Sequence, residues 1–202
     1  MRFEVFFDYQ CPFVHRAAEL IDAVQGSGER QLDVSWRYFS LTQVNSKDDG
    51  WTVWDAPPSE HVRGRLAFQA AEAARRQGRF EAMHWRLLRA RHQDRLDLDA
   101  ISVLEKIAGE VGLDVDRFRS DLDDRATLRA LAADHTTAVS QHGVFGTPTF
   151  VFPDGHAAYV RLAASALDSG AVEVFDRLVA VAAGEPGILE IKRPYRPSRE
   201  FG

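Results

Sequence analysis

The residues best suited to chemistry lie in one short stretch, FFDYQCPFVHRA, residues 6–17. It holds the chain's only cysteine, Cys11. Residues 2–7 (RFEVFF) are rich in β-branched and aromatic types and predict a strand. Asp8 to Gln10 form a loop. Pro12 then sits where helices begin, because proline has no N–H to lose at the first helical position. Phe13, Ala17, Leu20, Ile21 and Val24 recur at helical spacing beyond it. Cys11 is therefore expected at a strand–helix junction. Its sulfur would face the unpaired N–H groups of the first turn, the positive end of the helix dipole. A thiolate is stabilised in such a place, and cysteines there ionise far below the free value of about 8.5. The competing reading is a small buried apolar residue, the commonest state of a single cysteine. The strand–Cys–Pro–helix context favours reactivity.

A redox enzyme would often place a second cysteine at position 14, and Val14 stands there. Further along, GTPTF (146–150) puts Pro148 at the first residue of a predicted strand, directly after Thr147. A cis bond at that point would turn the Thr147 backbone toward the Cys11 loop. Only about 5–6% of X–Pro bonds are cis, so Pro148 taken alone is expected trans. His15 lies four residues after Cys11 on the same helix face. As a cation it would favour the thiolate or shuttle a proton, although a plain polar contact is the commoner role. Tyr9 would hydrogen-bond a thiolate or pack as a strand-end aromatic. Pro12 and Phe13 are expected at the mouth of the site. Trp51 and Trp54 sit in a loop, where they line a substrate groove or clamp the loop to the core, the clamp being preferred.

Other candidates carry less. Arg75, Arg76, Arg79, Arg86, Arg89, Arg91 and Arg95 form a basic run. It could attract the carboxylates of a small thiol, but a solvated helix face is the simpler reading. His84 with His92, and His135 with His142, lack the i, i+4 spacing of a helical zinc site and have no cysteine beside them. No metal is expected. No Gly-rich phosphate loop and no G-x-S-x-G elbow occurs.

Positioning Cys11 against Pro148 requires a sheet. After the first strand, the helix stops at Gly26-Ser27-Gly28, and residues 32–41 (LDVSWRYFSL) alternate as a second strand. Strand–helix–strand at this length implies a parallel pair. Residues 42–59 read as loop. From about 60 to 142 the pattern is helical throughout: His61–Gln77, Arg79–Arg91, a helix capped by Asp97 or Asp99 with Ile101, Leu104, Ala108 and Val111 inward, a short one capped by Asp114, and 124–142. TFVF, the turn at Pro153-Asp154-Gly155 and AAYVRL then predict a β-hairpin. A last helix spans 166–183, and 187–202 reads as an extended strap. The fold class is α/β: a small sheet domain of residues 1–55 and 143–202, interrupted by a helical insertion of 56–142.

The chain has 202 residues, 45% hydrophobic and 27% charged, with net charge -5 and pI near 5.8. That length can bury roughly 70% of its unfolded surface. The acidic balance argues against general nucleic-acid binding. One cysteine excludes an internal disulfide and a thiolate-rich zinc site, and fits a reducing compartment. No signal peptide or span of about 20 apolar residues is visible, so a cytoplasmic protein away from membranes is expected.

FDYQCPF (7–13), GTPTF (146–150) and the long helical insertion between them together resemble a thioredoxin-like fold of the DsbA family. The resemblance covers nearly the whole chain. It is nearest to the cytoplasmic FrnE-like branch, related to kappa-class glutathione transferases and 2-hydroxychromene-2-carboxylate isomerases. The ending GILEIKRPYRP (187–197) is more weakly similar to mycothiol-dependent members. The resemblance implies that Cys11 is the nucleophile and Pro148 the cis-proline. Thr147 would then pair its backbone with a bound thiol or peptide. The family motif is Cys-x-x-Cys, and Val14 breaks it. A mixed disulfide on Cys11 would need an external thiol, glutathione or mycothiol, for release. No tightly bound cofactor is implied. Three functions stay open. The first is a monothiol oxidoreductase acting on small or protein thiols. The second is a transferase or isomerase that polarises a cofactor thiol. The third is a non-catalytic binding module. Many relatives dimerise, and the apolar faces of the insertion would permit a homodimer.

Overall fold

A computed structural model describes residues 1–185, 187, 188, 190 and 191. Four strands form one mixed sheet in the order β2-β1-β3-β4. β1 (Arg2–Phe7) runs parallel to β2 (Asp33–Tyr38), in register from Arg2 opposite Asp33 to Phe7 opposite Tyr38. The crossover between them is α1 (Pro12–Ser27). β3 (Thr149–Val151) pairs antiparallel with β1 on its other side and with β4 (Ala157–Tyr159) beyond. The predicted hairpin is present, with a shorter second strand. Because side chains alternate along a strand, Phe3, Val5 and Phe7 leave one face of β1 while Phe6 leaves the other. Phe3 and Val5 pack with Leu20, Ile21 and Val24 of α1 and with Phe175. Phe6 packs with Phe39, Ala138 and Val144.

Between β2 and β3 the described chain is helical. α2 (Leu41–Val44) is a single turn where sequence predicts only loop; Ser40 Oγ caps it by accepting from the Gln43 N–H at 3.1 Å. α3 (Arg65–Arg76), α4 (Phe80–His92), α5 (Ile101–Glu110), α6 (Val115–Asp123) and α7 (Leu128–His142) follow. α3 starts four residues later than its periodicity suggests. Gly64 adopts φ +80, and the buried Arg65 guanidinium donates to the carbonyls of Ala56 and Glu60, holding the preceding loop as a loop. Neither Asp97 nor Asp99 caps α5. Ala100 occupies the cap, Asp99 accepts the Gly64 N–H at 2.8 Å instead, and Ile101 points outward. Asp114 does cap α6, accepting from the Arg117 N–H at 3.0 Å. The segment 124–142 divides into a 3-10 turn, Arg125–Thr127, and α7. The last predicted helix likewise divides at Gly170, φ +89, into a 3-10 turn, Ala164–Ser169, and α8 (Ala171–Ala182). The strap predicted over 187–202, and with it most of GILEIKRPYRP, falls largely outside the described residues.

One core joins the two parts of the chain. Phe7, Tyr9, Cys11, Val14 and Tyr38 are buried in the same cluster as Phe68, Met83, Leu87, Leu104 and Phe118 of the helical segment. The loop carrying Cys11 is therefore clamped between the sheet and the helices.

Candidate active site

Cys11 occupies the N-cap of α1 with extended backbone, φ -86 and ψ 117. Its N–H donates to Asp8 O at 3.1 Å, and Val14 N–H returns to Cys11 O at 3.1 Å. Pro12 has no N–H, so Phe13 supplies the first turn's remaining backbone donor. The thiol does not cap the helix. This corrects the placement expected from sequence, in which the sulfur faces the helix N–H groups. Sγ lies instead 3.1 Å from the carbonyl oxygen of Thr147, to which the thiol donates. Residues 136 apart in sequence thus meet at one sulfur. The Thr147–Pro148 peptide is cis. Pro148 O accepts from the Val160 N–H at 3.0 Å, and Thr149 Oγ1 donates to Gly146 O at 2.8 Å, which fixes the loop on both sides of the proline. Cys11 is 6% exposed, and Thr147 Oγ1 is buried without a hydrogen-bond partner.

Asp8 builds the floor of this loop. Its Oδ1 accepts from Gln10 N–H at 2.8 Å, and its Oδ2 from Leu41 N–H at 2.7 Å. Burial pushes its carboxyl up to about 6, against the pull of those two N–H groups and of Arg63. Tyr9 is fully buried and its hydroxyl is engaged elsewhere than at Cys11: it is 3.0 Å from His84 Nδ1, and the Tyr9 carbonyl accepts from His92 Nε2 at 2.9 Å. Burial lowers His84 to about 3 and His92 to about 4, so both rings are neutral near pH 7. The two histidines thus hold one tyrosine from two sides. His135 accepts the Ser40 N–H at 3.1 Å, and His142 packs on Phe6.

His15 is buried one turn above Cys11. Its ring lies 5.6 Å from that of His92, its Nδ1 is 3.6 Å from Glu19, and its Nε2 is buried with no partner. Burial lowers its pKa, with Glu19 acting the other way. Val14 is fully buried. Pro12 is exposed and Phe13 half-buried, which leaves them as the lip of the site. Trp51 donates to Glu60 at 2.9 Å, and the Trp54 ring packs 5.5 Å from His135. The first contact lies within the loop, and both rings pack against the core cluster. Three arginines of the basic run are held in ion pairs: Arg75 with Glu72, Arg76 with Asp121 and Asp124, and Arg86 with Asp94 and Glu110.

Four residues of the mouth are not identified by the sequence reading. Arg161 stacks over the Phe13 ring at 4.2 Å and Arg16 over the same ring at 5.4 Å. Tyr159 packs against Gly146 and the exposed Phe145. Burial raises the Tyr159 hydroxyl's pKa, with Cys11 a smaller contributor in the same direction. The available signal was the hairpin register, which sets Tyr159 opposite Thr149 and so beside the GTP loop.

Strand, cysteine at the N-cap position, proline-led helix and a cis-prolyl loop leading into the neighbouring strand define a thioredoxin-like site. A model of the DSBA-like thioredoxin domain matches residues 2–171, and the chain belongs to that family. A stretch of the Na(+)/H(+) antiporter NhaA 3 of Salinispora tropica is 32% identical over 170 residues, covering 83% of the chain and 22% of the antiporter. The chain thus spans under a quarter of that relative's length. Among solved structures, a probable DsbA oxidoreductase from Streptomyces coelicolor superposes with TM-score 0.64 at 22% identity, covering 95% of this chain and 94% of that one. The cytosolic disulfide reductase DsbM of Pseudomonas aeruginosa, solved with GSH, superposes with TM-score 0.59 at 17% identity, covering 90% and 98%. These two likenesses show a shared fold. No helix among the described residues is long and apolar enough to cross a membrane.

Proposed function

We propose that the chain is a thiol–disulfide oxidoreductase that uses Cys11 as its one nucleophile and a low-molecular-weight thiol to complete turnover. The observation that carries this is the 3.1 Å contact between Cys11 Sγ and Thr147 O, beside the cis Thr147–Pro148 bond. A thiol held at a helix start, with a carbonyl aimed at it from the loop before β3, is arranged to present its sulfur and to receive extended backbone alongside.

In the first step the Cys11 thiolate attacks one sulfur of a disulfide. That S–S bond breaks as the new one forms, and the departing thiolate takes a proton from water. Cys11 is oxidised to a mixed disulfide and half of the substrate is reduced. Thr147 O, released from the thiol, is free to accept from the bound partner. Val14 offers no second sulfur, so an external thiol attacks the mixed disulfide and returns Cys11 to its reduced form. DsbM, with the same fold, was solved with GSH, which supports glutathione as that thiol; mycothiol fills the same role chemically. His15, with its unpartnered Nε2, is the nearest base on α1 to hold the proton of the Cys11 thiol. Pro12 and Phe13 line the entry, and Tyr9 supports the loop from beneath. Trp51 and Trp54 act indirectly, by fixing the loop before α3.

The test is reduction of hydroxyethyl disulfide with glutathione, and in parallel with mycothiol, by the wild-type chain and a Cys11→Ala variant. The expected result is turnover with at least one thiol that the variant loses completely. Turnover retained in Cys11→Ala overturns this assignment in favour of transferase or isomerase chemistry on the cofactor's own thiol.

A further inference from the structure

The charge at the mouth of the site is one-sided. Phe13 follows Cys11 by two residues, and two guanidinium groups lie over its ring, Arg161 from the end of the hairpin and Arg16 from the next turn of α1. Arg16 is anchored, its Nη1 donating to Leu162 O at 3.0 Å. Arg161 is exposed, stacked on that ring and electrostatically coupled to Tyr159. Among the described residues neither guanidinium has a carboxylate within ion-pair distance. Arg75, Arg76 and Arg86 differ, since each is paired with carboxylates: Arg75 with Glu72 of its own helix, Arg76 with Asp121 and Asp124, and Arg86 with Asp94 and Glu110. Tyr159, half-exposed, and Phe145, 67% exposed, add an aromatic wall on the hairpin side of the same opening. In a chain of net charge -5, this places positive charge and aromatic surface beside the one nucleophile.

Resting on the oxidoreductase reading, we propose that Arg161, supported by Arg16, selects disulfides that carry a carboxylate close to the reacting sulfurs. A guanidinium presents several donors in a fixed plane and binds carboxylates through two parallel hydrogen bonds. Stacking on Phe13 holds that plane at the entry, so less freedom is lost on binding. The aromatic wall accommodates an apolar or ring-bearing arm on the same substrate. Arg161 is a specificity residue in this scheme. It touches the substrate's carboxylate while Cys11 performs the exchange: the S–S bond of the substrate breaks, the Cys11–substrate disulfide forms, and the other half leaves as a thiolate.

Two chromogenic disulfides separate the contributions. Dithiobis(nitrobenzoic acid) carries a carboxylate on each ring, and dithiodipyridine is an uncharged aromatic of similar reactivity. Second-order rates with Cys11 are measured for the wild type, Arg161→Gln, Arg161→Lys and Arg16→Gln at low salt. The expected result is that the ratio of dicarboxylate to neutral rates falls about tenfold in Arg161→Gln, is largely restored in Arg161→Lys, and falls less in Arg16→Gln. Added salt should erode the ratio in the wild type far more than in Arg161→Gln. A ratio unchanged by Arg161→Gln overturns the proposal, as does equal slowing toward both reagents, which marks a structural role. A wild-type protein inert to both reagents overturns the nucleophile assignment itself, a distinct failure.

Discussion

Asp8 illustrates how a single side chain sets the geometry of the cysteine loop. Its two oxygens accept the N–H groups of Gln10 and Leu41, one local and one from the first residue of α2. Replacing it with alanine leaves both N–H groups buried without acceptors. The expected loss is about 2–4 kcal/mol in urea denaturation, at roughly 1–3 kcal/mol for an unsatisfied buried group. Its proton runs opposite to the usual carboxylate. The folded-state value, about 6, lies above the unfolded one, near 3.8, so its contribution is fullest below pH 3.8 and is lost as pH rises through 6. Tyr9→Phe removes the hydroxyl facing His84 Nδ1 and should cost about 1–3 kcal/mol, with little effect on Cys11 chemistry because that hydroxyl is engaged by His84. Cys11, Pro12, Phe13 and the GTP loop are legible in sequence, because proline, glycine and a unique cysteine constrain backbone and chemistry directly. The orientation of Tyr9 is not, because its partner His84 lies 75 residues away. Both roles weighed for Tyr9 were compatible with the local pattern.

The elements bring these residues together through a few fixed junctions. Gly64, which opens α3, adopts φ +80, and a Cβ built there meets Gln10 Cγ at 3.2 Å. Gln10 is the residue before Cys11, so this glycine is where the helical segment touches the cysteine loop. Gly64→Ala combines backbone strain of about 1–2 kcal/mol with pressure on Gln10. The expected outcome is a lower Tm, together with a changed Cys11 alkylation rate. A distant lesion of similar size, Asp114→Ala at the α6 cap, should cost about 1 kcal/mol and leave that rate unchanged. Helical periodicity is enough to locate α1 and α3 through α7, because an apolar stripe must recur wherever a helix packs. Boundaries are less visible. Asp99 has the right residue type and position for a cap, yet its carboxylate is committed to Gly64 N–H in another element. The split at Gly170 and the brief α2 depend on turns whose partners are distant in sequence.

At the scale of the whole molecule, burial holds several histidines neutral: buried His84 at about 3, half-buried His92 and buried His135 at about 4, with His15 lowered as well. All lie below the unfolded value near 6.5, so the unfolded chain takes up more protons as pH falls. Their contribution is complete above about pH 6.5 and is lost on acidification toward 4 and below. Asp8 and Asp134, both raised by burial, oppose them over part of that range, but the histidines are the more numerous. The urea midpoint should therefore fall between pH 6.5 and 4. His135→Asn, which keeps an acceptor for Ser40 N–H, should flatten that fall. The overall order of strand, helix, strand, helical segment, hairpin and helix is legible from sequence, since each change of period marks a change of layer. The charged mouth is not, because Arg161 is brought to Phe13, beside its helix neighbour Arg16, only by α1 packing beside the hairpin. All of this serves one claim, that the fold presents Cys11 as a nucleophile and does not bury it as filler. The most direct measurement is the rate of Cys11 alkylation by iodoacetamide at about pH 6.5, in the folded protein and in urea. The account predicts faster reaction in the folded state, despite 6% exposure. A cysteine protected until the chain unfolds would contradict it.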